Sequence, residues 1–263
     1  MNSYEPIQSV QYCEKVFVEK IIHPTGSKEA KNAVIQWFAS IDTLGEKVAI
    51  AALWLGLVGI AATLVKQFTR ADSELVRKVV HIGTGNIILL AWWMALPSWV
   101  ILAAAVLFGT IALASFFYPL LPSIDSVGRK SLGTFFYALS IGLLAAWFWP
   151  QNLPEFAVLG ILIMTWGDGL AGLIGRQFGS HTYYLGGMKK SWEGSLTMAL
   201  ISALMTILVL ASVGTALSPL IISAFLVAIV ATGLEAFSRL GIDNVTVPLG
   251  SAATAYAMSV ILG

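Results

Sequence analysis

The sequence predicts an all-α protein, a polytopic bundle of about eight transmembrane helices, or seven if one weak segment fails to span. Three observations lead there. Of the 263 residues, 57% are hydrophobic and only 11% are charged, against about 25% charged in an ordinary soluble domain. Apolar runs long enough to cross the roughly 30 Å hydrocarbon layer recur along the chain. Beyond the first of these runs, Lys and Arg fall only in alternate loops, as the positive-inside rule requires.

Residues 1–47 read as a polar N-terminal segment ahead of a transmembrane domain at 48–263. The segment has no apolar stretch of signal-peptide length, and its acidic residues are wrong for an organellar transit peptide. Within it Ala30, Ala33, Val34, Trp37, Phe38 and Ile41 follow helical spacing. That suits an amphipathic helix on the bilayer, or equally a short helix packed on the bundle. The single cysteine, Cys13, excludes an internal disulfide and offers no metal-ligand spacing.

The spanning runs follow at 48–65, 79–96, 99–118, 132–149, 156–175, 195–213, 217–237 and 245–263. The second carries His81, Thr84 and Asn86 and the eighth carries Pro248, so these two have the weakest apolar signal. Trp92, Trp93, Trp99, Trp147 and Trp149 cluster at the ends facing uncharged loops, as an interfacial belt would. A net charge of +1 leaves no basic face for a nucleic acid.

Five of the 15 Lys and Arg residues precede the first span. The others are Lys66, Arg70, Arg77 and Lys78, then Arg129 and Lys130, then Arg176, Lys189 and Lys190, and finally Arg239. These four loops are expected in the cytoplasm, with both termini on the opposite side. The reactive side chains follow the same loops, so the expectation is one site at one membrane face. A carrier would instead place ionisable groups near mid-membrane.

The densest motif is Gly167-Asp168-Gly169-Leu170-Ala171-Gly172, continuing to Gly175-Arg176 and Gly179. Gly167, Ala171, Gly175 and Gly179 recur every fourth residue, which gives a flat face for close helix packing. Packing does not explain Asp168, because an unpartnered carboxylate in a span costs at least ~2.5 kcal/mol. Either it forms a structural ion pair with Arg129 or Arg176, or it ligates a divalent cation through hard oxygen atoms. Glu193, Asp243 or Glu235 could complete such a shell or act as base.

Lys189-Lys190-Ser191-Trp192-Glu193-Gly194-Ser195 joins two cations and a hydroxyl to the start of the next helix, a phosphate-binding combination. It is not a Walker A loop. Arg77 and His81 are four residues apart and share a helix face, with His81 either a base or a hydrogen-bonded structural residue. Arg129-Lys130-Ser131-x-Gly133-Thr134 and Asp243-Asn244 are each explained equally well by snorkelling and capping. Their convergence carries the argument.

In their order, Arg77-Lys78-x-x-His81, Lys130-Ser131-x-Gly133-Thr134, Gly167-Asp168-x-x-Ala171-x-x-x-Gly175-Arg176-x-x-Gly179, Lys190-Ser191-x-Glu193-Gly194-Ser195, and Glu235 followed by Asp243-Asn244-x-x-Val247-Pro248 resemble the CTP-dependent polyprenol kinases. That family includes dolichol and phytol kinases and lies in the membrane cytidylyltransferase superfamily. The compact size is similar to the phytol kinase type. The Lys-Arg-x4-Lys-Asp and His-Gly-Gly-x-x-Asp-Arg signatures of phosphatidate cytidylyltransferase, the nearest rival, are missing.

The resemblance implies a kinase domain over 48–263 that moves the γ-phosphoryl group of CTP to a long-chain prenyl alcohol such as phytol, geranylgeraniol or a polyprenol. It further implies Mg²⁺ held by Asp168, Glu193, Asp243 and Glu235, with Asp168, Glu193, Asp243 and His81 at the chemistry. The phosphates would fall to Arg77, Lys78, Arg129, Lys130, Ser131, Gly167, Gly175, Arg176, Lys189, Lys190, Ser191 and Asn244. The expected location is a bacterial inner or thylakoid-like membrane, with the site facing the cytoplasm. A CDP-diacylglycerol-forming enzyme and a small membrane transporter are the competing readings.

Overall fold

The computed structural model describes residues 43–68, 73–117 and 132–262. The amphipathic stretch at 30–41, Cys13, and Arg129, Lys130 and Ser131 therefore lie outside the described residues. Among the described residues, eight helices are long and apolar enough to cross a membrane, and they match the eight runs in the sequence.

The first is α1 (Leu44–Phe68), which begins ahead of the expected start near 48. The second is made of α2 (Ser73–Gly85) and α3 (Ile87–Trp93), interrupted at Asn86, whose side chain donates to the Ile82 carbonyl at 2.8 Å. Then come α4 (Ser98–Phe117) and α5 (Gly133–Phe148), the latter extended by a 3-10 turn over Trp149–Gln151. The fifth span runs from α6 (Pro154–Leu162) through a π-helical turn (Ile163–Asp168) into α7 (Gly169–Phe178). The last three are α8 (Trp192–Ser212), α9 (Leu217–Ala236) and α10 (Asp243–Leu262).

The fifth span is the centre of the bundle. Every residue from Phe156 to Leu162 is buried, which a helix apolar on all sides achieves only when other helices surround it. Gly160 permits a close crossing: a Cβ there would sit 2.4 Å from the Pro248 carbonyl of α10. The sequence-level stripe of small residues packs on α8. A Cβ at Gly167 would meet Met198 Sδ at 2.7 Å, and one at Gly175 would meet Ser191 Oγ at 2.9 Å. By contrast α1 and α4 leave Leu53, Leu57, Val106 and Leu107 exposed, as lipid-facing helices do.

The all-α expectation needs one addition. Between α7 and α8 the chain forms an antiparallel hairpin, β1 (Thr182–Leu185) with β2 (Met188–Ser191). Gly186 and Gly187 both have positive φ, 55° and 78°, the two-residue turn whose twist matches a hairpin. Lys189 and Lys190 thus occupy a strand just ahead of α8, and Ser191 caps that helix, accepting from the Gly194 amide at 3.1 Å.

Trp93, Trp99 and Trp147 are exposed at the helix ends as an aromatic belt requires. Trp149 instead turns inward, its indole donating to the Leu96 carbonyl at 3.0 Å.

Candidate active site

Asp168 closes the π turn in the fifth span. A π turn widens the backbone and frees a carbonyl from the helical ladder, and such turns are common at functional sites. Here the Met164 carbonyl faces His81 Nε2 at 3.2 Å. The Asp168 side chain meets Lys78 of α2, whose ammonium donates to Oδ2 at 2.7 Å and to the Asp168 carbonyl at 2.9 Å. His81 Nε2 is 3.7 Å from the same Oδ2. Gly172 makes room for the lysine stem, since a Cβ there would be 2.9 Å from Lys78 Cε.

The ion pair is deep. The Lys78 side chain is 4% exposed and that of Asp168 15%. Asp168 precedes the ten residues of α7, so it lies about 15 Å along the axis from that helix's charged end. The ion-pair partner of Asp168 is Lys78, one of the residues expected at the phosphates, whereas Arg129 lies outside the described residues.

A second ion pair stands beside the first. Lys190, on β2, donates to Glu235 Oε1 at 2.5 Å and to the Glu235 carbonyl at 3.0 Å, tying the hairpin to the end of α9. Asp243, at the start of α10, lies within electrostatic reach of Asp168, Lys190 and Lys78. Its carboxylate accepts from the Asn244 amide at 3.1 Å, while Asn244 Nδ2 donates to the Gly241 carbonyl at 3.1 Å. Arg77 pairs with Glu74 at 2.5 Å and is within electrostatic reach of Asp168 and Asp243. Residues from three of the four expected loops therefore meet at one end of the bundle.

Other expected members stand apart. Glu193 faces the hairpin base, accepting from Ser180 Oγ at 2.7 Å and from the His181 amide at 3.1 Å, with His181 Nδ1 at 2.9 Å. Lys189 and Arg176 are exposed. Ser191 is committed to its cap, and the space beside Gly167 and Gly175 is taken by α8.

Sequence reasoning missed the polar surroundings of His81. Its ring stacks on Tyr137 of α5 with centroids 4.5 Å apart, and the Tyr137 hydroxyl meets Thr165 Oγ1 at 2.6 Å. Arg77, His81, Thr84, Thr134, Tyr137 and Asn244 line a small cleft of about 60 Å³. The signal available beforehand was the run of polar residues in an otherwise apolar second span.

Among the described residues no three His, Cys, Asp or Glu side chains form a ready ligand set for a metal. Mg²⁺ needs no such cage, since it is commonly bound by one or two carboxylates with substrate phosphates and water completing the octahedron. Asp168 and Asp243 offer hard oxygen donors of that kind at one end of the bundle.

Carboxylates and lysines from three loops, meeting at one end of an eight-span bundle, form the candidate site of a multi-pass membrane protein. Over 212 residues the chain is 50% identical to the phytol kinase of Synechocystis sp., covering 81% of this chain and 91% of that protein. It is 29% identical over 238 residues to phytol kinase 1, chloroplastic, of Arabidopsis thaliana, and 28% over 211 residues to a probable chloroplastic phytol kinase of Triticum aestivum, with 82% and 71% of this chain covered. No family model and no solved structure matches. The chain belongs to the phytol kinase family.

Proposed function

We propose that this enzyme phosphorylates phytol, and related prenyl alcohols such as geranylgeraniol and polyprenols, with CTP as phosphoryl donor. The observation that carries this reading is the meeting of Lys78–Asp168, Lys190–Glu235 and Asp243 at one end of a lipid-embedded bundle. A water-soluble polyphosphate can reach that end from solvent while a lipid alcohol reaches it from the bilayer. Family membership supports phytol as acceptor, and the motif resemblance supports CTP.

Lys78, Lys190 and Arg77 bind the triphosphate and neutralise the charge that spreads over the transferred group. The alcohol oxygen attacks the γ-phosphorus, an O–P bond forms as the bridging β–γ P–O bond breaks, and CDP leaves. Asp243, which carries amide hydrogen bonds instead of a direct lysine contact, accepts the hydroxyl proton. His81 holds the π turn through Met164 and so positions Asp168. Asp168 and Asp243 would hold Mg²⁺, which when bound supplies further charge neutralisation on the phosphates. By the positive-inside rule this end faces the cytoplasm of a bacterial inner or thylakoid membrane.

The test is incubation of purified protein with γ-labelled CTP, Mg²⁺ and, separately, phytol, geranylgeraniol, farnesol, undecaprenol and phosphatidic acid. Labelled prenyl phosphate is the expected product. Consumption of phosphatidic acid with release of pyrophosphate would reverse the reading in favour of a cytidylyltransferase.

A further inference from the structure

Helix α2 separates two openings of opposite character. Arg77, His81 and Thr84 face the polar cleft. On the other side Val79, Ile82 and Gly83 form one wall of a groove whose other walls are Trp54, Val58 and Trp166, with a volume of about 500 Å³. That is within the roughly 300–1,000 Å³ of small-molecule sites.

The groove is apolar and its walls are fixed. The Trp54 indole donates to the Gly83 carbonyl at 2.8 Å, and the Trp166 indole donates to Asn86 Oδ1 at 3.0 Å. Both N–H groups are satisfied by the second span, so the aromatic rings can line a lipid-facing space without an unpaired donor. Gly83 keeps α1 near, since a Cβ there would lie 2.6 Å from Val58.

The groove also borders the reacting end. Val79 adjoins Lys78 in sequence, and Ile82 packs on Gly169, beside Asp168, where a Cβ would be 2.7 Å from Ile82 Cγ1. From Val79 to Asn86 it follows α2 for about 10 Å.

We infer that this groove between α1, α2 and the π turn holds the hydroxyl-proximal part of the isoprenoid tail, with Trp166, fixed by Asn86, as its specificity wall. The inference rests on the prenyl alcohol reading above. It assigns the tail to the apolar side of α2 and the polyphosphate to the side on which Arg77 stands. They meet at Lys78 and Asp168.

The test fills the groove with Ala61→Trp, because Ala61 lines it from an exposed position on α1. Leu53→Trp, on the same helix but outside the groove and 64% exposed, is the control. In nanodiscs, Ala61→Trp is expected to raise KM for phytol by about tenfold or more, through loss of apolar burial, and to leave KM for CTP within about twofold. Leu53→Trp should match the unmodified enzyme.

An unchanged KM for phytol in Ala61→Trp, or an equal rise in Leu53→Trp, overturns the groove while leaving the kinase reading intact. Unmodified protein that phosphorylates no prenyl alcohol overturns both. Should Ala61→Trp fail to fold, a diazirine-bearing prenyl alcohol on the unmodified protein decides. Labelling of peptides containing Trp54 to Ala61 or Ile82 to Asn86 is expected, and labelling confined to other spans refutes the assignment.

Discussion

Replacing Asp168 by Asn keeps the shape of the side chain and removes its charge, leaving the Lys78 ammonium, 4% exposed, opposite a neutral amide. Breaking a buried ion pair from one side costs about 3–5 kcal/mol, because the remaining charge is desolvated without compensation. For a chain of this size that is on the order of 10 °C in unfolding midpoint. The single variant should therefore be both less stable in detergent and at least ~10²-fold less active. Lys78→Gln combined with Asp168→Asn leaves two neutral amides and should regain most of the lost stability while remaining inactive. Thermal unfolding in detergent, followed by tryptophan fluorescence, and labelled prenyl phosphate formation measure the two effects separately. If the double variant is as unstable as the sum of the singles, the two groups are not paired. If Asp168→Asn keeps its activity at saturating Mg²⁺, Asp168 has no part in the chemistry.

The second pair predicts an asymmetry between adjacent lysines. Lys190→Ala strands Glu235 and should raise KM for CTP by about tenfold or more, whereas Lys189→Ala, at an exposed position, should stay within about twofold. Glu193→Ala removes the acceptor that gathers Ser180 and His181, so limited proteolysis should cut the hairpin faster, and unchanged cleavage would show that the hairpin is held by its other contacts. Sidedness is read with Ser180→Cys, Leu240→Cys and Asn152→Cys, each made in a Cys13→Ser background. An impermeant thiol reagent should reach the first two from one side and Asn152→Cys from the other, and opposite sides for Ser180→Cys and Leu240→Cys would break the convergent site.

The eight spans were legible because a bilayer imposes a solvent requirement residue by residue, and apolar runs of sufficient length answer it locally. The one-sided distribution of Lys and Arg was equally local, and it foretold that Lys78, Asp168, Lys190, Glu235 and Asp243 share an end. The four-residue spacing of Gly167, Ala171, Gly175 and Gly179 foretold a packing face but not that α8 would occupy it. The hairpin is less legible: Thr182-Tyr183-Tyr184 followed by Gly186-Gly187 is a strand-and-turn signal, but the returning strand, Met188–Ser191, carries two lysines and no apolar alternation.

What only the tertiary structure decided is which charges neutralise one another. Lys78 and Asp168 are 90 positions apart and Lys190 and Glu235 are 45 apart. In the sequence, each of these lysines reads as well for phosphate or for topology as for a carboxylate. The π turn, which aims the Met164 carbonyl at His81, leaves no trace in hydropathy. The separation of a polar cleft from an apolar groove depends on how α2 is rotated between α1 and α5. Composition and periodicity measure the affinity of a segment for lipid, which is a property of the segment. The partner of a buried charge is set by packing among helices far apart in the chain, where desolvation makes one pairing far lower in free energy than the rest.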